Sequence, residues 1–137
     1  MLNGKELMLG DYVNIADYDF PEAVVGKIKA IYTGGEEVLV NILEDSVLFD
    51  IKDISEISLS KTFFLENGFE ELRAFEKLHI NETYSLLCNV DIKVVVKIMH
   101  ENCFRCEVYG IEMNYVHEFQ HLMRLLGLFD YANNLKV

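Results

Sequence analysis

The chain has 137 residues, 51% of them hydrophobic, and a formal net charge of -11 from 23 acidic and 12 basic residues. That is enough apolar material for a packed core, which argues against disorder, and the negative field with no lysine or arginine cluster argues against general nucleic-acid binding. No apolar run is long enough to span a bilayer, the start MLNGKELMLGDY lacks the basic-then-apolar pattern of a secretory signal, and three cysteines cannot all pair internally, so a soluble cytoplasmic protein without membrane contact is expected.

In chain order, the first part reads as short strands. GDYVNIADYDF alternates and ends before Pro21, AVVGKIKAIY is β-branched and apolar, Gly34-Gly35 marks a turn, VLVNIL is a further strand, and SVLFDIKDISEISL supplies the last one or two. Strands at this spacing with no intervening helix predict a small SH3-like β-barrel over residues 1–59, with Gly10 and Gly26 where bends or close backbone approach are needed. This part is also the acidic one, holding 12 of the 23 acidic residues but only 4 of the 12 basic ones.

Residues 60–137 form the second expected domain. Ser60 is an N-cap for a short helix KTFFLENG that Gly68 closes, and residues 70–77 read as a charged loop. LHINETYSLLCN, DIKVVVKIMH and CFRCEVYGIEM follow as an antiparallel meander with turns at Asn89 and Glu101-Asn102, and an amphipathic helix from about Asn114 to Leu126 stops at Gly127. The overall expectation is an α+β protein.

The last helix carries HEFQH, two histidines four apart with a glutamate between them. This is the pattern by which zinc hydrolases hold their metal with two imidazoles and use the carboxylate as general base. With Phe119 at the centre of the wheel, Tyr115, Val116, Leu122, Met123 and Leu126 complete a buried stripe, and His117, His121 and Arg124 fall on the opposite side, facing solvent. A catalytic zinc needs a third protein ligand. The extended motif would place glycine at 124 and histidine at 127, where this chain has Arg124 and Gly127. His79 and His100 are the only other histidines, and Asp130 is the only downstream carboxylate.

His100, Cys103 and Cys106, with Cys88, match the composition of a Cys3His zinc site, but Cys103 and Cys106 point to opposite faces of a strand because their separation is odd. Tyr12, Tyr18, Phe20, Tyr32 and Phe49 are candidates for an aromatic ligand groove, and equally for core. No P-loop, GxGxxG or GxSxG is present. From the residues alone, no catalytic, cofactor-binding or metal residue is assigned.

ISLSKTFFLENGF (57–69) and YGIEMNYVHEFQHLMRLLG (109–127) resemble stretches of a group of small proteins from gut-bacterial genomes, phages and mobile elements that has no assigned activity. The residues that carry the resemblance are Leu59, Leu65, Gly68, Phe69, Gly110, Ile111, Tyr115, Val116, His117, Phe119 and Gln120. Similar proteins can carry glutamine at the position of Glu118 and asparagine at that of His121, and either change would disable zinc hydrolysis. The resemblance thus implies that YVHEFQ serves to pack the last helix. The expected function is that of an accessory or adaptor protein acting by protein contact, from a phage or mobile element. The alternatives are a minimal zinc hydrolase using His117, Glu118 and His121, and an acidic nucleic-acid mimic. Asp17, Asp19, Glu22, Glu36 and Glu37 are the residues on which a docking face for a basic partner would rest.

Overall fold

The computed structural model describes residues 6–17, 20–75, 83–107 and 109–137. Side chains at 17, 20–23, 33, 73–75 and 83–84 also lie outside the description. The described residues form two units: the chain up to Ile57 joined by Val116–Leu135, and Ser58–Tyr115.

In the first unit, β1 (Tyr12–Asp17), β2 (Phe20–Tyr32), β3 (Glu37–Ile42), β4 (Asp45–Asp50) and β5 (Ile54–Ser55) make one antiparallel sheet in the order β4-β3-β2-β1-β5. The expected barrel is an open sheet. β5 has only two residues, pairs with β1 alone through Asn14 and Ile15, and the order leaves β4 and β5 as separate edges. Strict alternation in β3 puts Val38, Val40 and Ile42 on the buried face, where they meet Val13, Ile15, Ile28, Phe49 and Ile54. Gly26 is where the sheet demands it: a Cβ there would collide with Val40 Cγ1 and stand 2.9 Å from Ile15 Cδ1. The β3–β4 hairpin turns through Leu43, a non-glycine residue at φ 56° and 98% exposed.

The helices of this unit are α2 (Val116–Leu125) and α3 (Phe129–Asn133). The sequence places the chain-closing helix with the meander in 60–137. In the structure it belongs with the front sheet, because its polar side bonds to residues 10–12 at the start of β1.

The second unit starts with α1 (Lys61–Glu66), capped as expected: Phe63 N–H donates to Ser60 Oγ at 3.1 Å, and Gly68 follows at φ 89°. The second sheet runs β10-β9-β8-β7-β6, a meander of β6 (Glu70–Phe75), β7 (Thr83–Asn89), β8 (Val94–His100), β9 (Cys103–Cys106) and β10 (Ile111–Met113). Part of the stretch read as a charged loop is thus a strand: β6 pairs along its whole length with β7, the next strand of the chain. Phe64 anchors the core, with ring centroids 5.1 Å from Phe69 and 4.8 Å from Phe104, over a sheet face carrying Leu87, Val96, Cys106 and Met113. Among the described residues no helix is long and apolar enough to cross a membrane.

Candidate functional site

The site is built on a turn before β1. Gly10, at φ 89°, donates its N–H to Ile28 O at 2.8 Å, and the chain then doubles back so that Asp11 N–H reaches Met8 O at 3.1 Å. The bend carries the Asp11 side chain fully inside. A buried carboxylate must be met by donors, and here three converge: Met8 N–H at 2.8 Å and His121 Nε2 at 2.6 Å on one oxygen, Arg124 Nη1 at 2.6 Å on the other. Arg124 also donates to Asn133 Oδ1 at 3.2 Å.

One turn earlier on α2, the fully buried Gln120 completes the arrangement. Its Oε1 accepts from Tyr12 N–H at 2.9 Å, and its Nε2 donates to Gly10 O at 3.0 Å and Ala132 O at 2.9 Å. It replaces a missing strand for the backbone at the start of β1 and fixes α3 at the same time. Tyr12 O–H and Lys27 Nζ both donate to Asn133 O, at 3.1 and 2.6 Å, and close the end of α3.

The helix wheel therefore needs correction on one side. Val116, Phe119, Leu122 and Met123 are buried as read and Tyr115 and Leu126 half-buried, but His117 and Arg124 on the opposite side are buried too, His121 and Glu118 are part-exposed, and Leu125 is the exposed residue of the helix. The reason is Asp11, a buried acceptor 113 residues away from Arg124 in sequence. The signal that marks this side is Gln120 and Arg124 at i, i+4 between apolar positions, where they can reach one partner surface.

His117, Glu118 and His121 line an open cleft of about 490 Å³ with Glu6 and Met8. The two imidazoles are edge to face, centroids 5.6 Å apart. Burial holds the His117 imidazole below the usual histidine range, opposed by Asp11 and reinforced by the His121 ring. Burial likewise pushes the Tyr12 hydroxyl up. In HEFQH the structure brings the two histidines together, but the Nε2 of His121 is occupied by Asp11. Among the described residues no group of three or more His, Cys, Asp or Glu side chains is placed to hold a metal ion. The five residues lining the cleft offer no hydroxyl or thiol nucleophile.

The remaining candidates are dispersed. Cys106 is buried opposite Val96 while Cys88 stands opposite Val95 on the other face, His100 is exposed, and no disulfide joins the cysteines. Phe49 is core, Tyr32 is exposed and Tyr12 is engaged with Asn133, so these three do not share a groove. Tyr18, Asp19 and His79, and the side chains of Phe20, Asp17 and Glu22, lie outside the described residues, while Glu36 is exposed and Glu37 half-buried. No protein-family profile matches the chain, and neither curated proteins nor solved structures give a match.

Proposed function

We propose that this is an accessory or adaptor protein of a phage or mobile element that works by protein contact in the cytoplasm. The observation that carries the reading is a group of exposed apolar residues on the outward face of the second sheet, bordered by Glu70 and Lys97. Leu72 is 52% exposed opposite Leu86, Cys88 stands opposite Val95, and Val90 is 80% exposed on the adjoining turn. An open, almost wholly apolar groove of about 300 Å³ runs past Cys88, Val90, Lys93 and Val95. Exposed apolar residues grouped in this way mark interaction surfaces more often than isolated ones do. The chemically active groups of the first unit are meanwhile engaged in fixing α2, which favours contact over catalysis. The phage or mobile-element origin rests on the resemblance of residues 57–69 and 109–127, and the cytoplasmic setting on cysteines without a disulfide.

The test is affinity capture from host lysate with the native protein and with Leu72→Glu and Val90→Asp. Both positions are exposed, so the variants keep the native melting temperature. Loss of a captured protein in the variants supports the reading, and identical captured sets sink it. A variant with Asp17, Asp19, Glu22, Glu36 and Glu37 made amides runs alongside; a loss confined to that variant moves the contact to the acidic front part, where it would also weaken with salt.

A further inference from the structure

We propose that the seating of residues 116–133 on the front sheet is an acid-sensitive latch triggered by the buried His117, which packs against the His121 ring beside Asp11. α2 is held on its polar side by one buried carboxylate, Asp11, whose charge is already matched by the buried Arg124. His121 approaches the same carboxylate at 2.6 Å, and His117, only 5% exposed, stands with its ring centroid 5.6 Å from that of His121. With the His117 imidazole neutral the cluster is balanced. Its protonation would place a second buried cation beside a carboxylate that Arg124 already matches.

The other charged groups are Glu118 on α2 itself, Glu6 in the segment before β1 and Glu56 in the segment after β5. Glu118 and Glu56 draw a proton toward His117, as Asp11 does, yet burial outweighs them and keeps the His117 value below 6.5. As pH falls, the unfolded or undocked chain then takes up the proton first. Stability is complete above about 6.5 and is lost as pH falls below that value toward the lower folded one. Release would uncover Phe119, Leu122 and Met123, the apolar side of α2.

The experiment is amide hydrogen exchange on the whole protein at pH 7.5 and 5.5, corrected for intrinsic rates. The lower pH stays above ordinary carboxylate titration, near 4, and so isolates the imidazoles. The expected result is a several-fold loss of protection in 116–133 that β2 and β3 do not share, because each unit of depression allows up to about a tenfold change in the open population. His117→Gln, neutral at both values, removes that loss. Protection independent of pH, or an equal loss in His117→Gln, overturns the proposal. Should that variant not fold, the His117 ring is titrated by NMR in the native protein. A midpoint below 6.5 supports the latch, and a midpoint at or above 6.5 overturns it.

Discussion

α1 and α2 both pack against five-stranded antiparallel sheets, but they do so with different chemistry. In the second unit the packing is aromatic and sequential: Phe63, Phe64 and Phe69 come from one seven-residue stretch, and Phe64 packs against the other two and against Phe104 on β9. In the first unit α2 buries Phe119 and Met123 on one side and Gln120, Arg124 and His117 on the other, and its polar partners at residues 10–12 lie 108 to 113 residues away. Apolar packing tolerates small displacements, whereas a buried ion pair contributes only when every donor and acceptor is matched. α1 is therefore held by area, and α2 by area on one side and register on the other.

The largest expected effect comes from breaking the polar hold. Asp11→Ala leaves the Arg124 guanidinium buried without its carboxylate and should cost about 3–5 kcal/mol in urea unfolding. A loss below about 1 kcal/mol would mean that α2 is held by its apolar side alone, and the contrast between the units would disappear. Phe64→Ala probes the aromatic counterpart, with an expected loss of about 3–5 kcal/mol from lost burial and the cavity left behind. Here Phe64→Leu should recover much of the loss. If the leucine variant were as damaged as the alanine variant, shape rather than area would govern this unit as well.

Gln120→Leu sharpens the comparison, since it keeps an apolar body but removes the bonds to Tyr12 N, Gly10 O and Ala132 O. Leaving those backbone groups unmatched should cost about 2–3 kcal/mol, and exchange should rise first at the start of β1 and in α3. A Leu variant as stable as the parent would show that water or backbone shifts replace the amide without cost. The smallest effect has the opposite sign: Leu43→Asn at the exposed β3–β4 turn should stabilise by roughly 1 kcal/mol, because asparagine accepts the left-handed conformation that leucine resists. An unchanged melting temperature would place the turn's strain elsewhere.

Much of this architecture is legible in the residues. The alternation of VLVNIL, the Ser60 cap, Gly68, Gly127 and the turns at Asn89 and Glu101-Asn102 are local signals, and each stands where expected. The α+β class follows from them. What local patterns hide is what an element packs or pairs with. β6 looks like a charged loop until β7 pairs with it, α3 follows Gly127 without a side-chain cap to announce it, and the barrel stays open because the edge strands β4 and β5 do not pair. The site was hidden for the same reason: one Asp after a glycine carries no sign that a histidine, an arginine and a backbone amide will enclose it. HEFQH, the most conspicuous motif, is conspicuous through the spacing of a helix that has a structural use for its polar side.

Val116 N–H donates to Ile57 O at 2.8 Å, and Ser58 bridges to Tyr115, so the chain leaves and re-enters the front unit at neighbouring points. During synthesis this sets an order. The meander and α1 are complete once residue 115 has left the ribosome, while the front sheet, made first, still lacks Gln120 and Arg124. Until those residues emerge, Asp11 has neither its helix donors nor a reason to be buried, so the earliest strands of the chain are the last to be sealed.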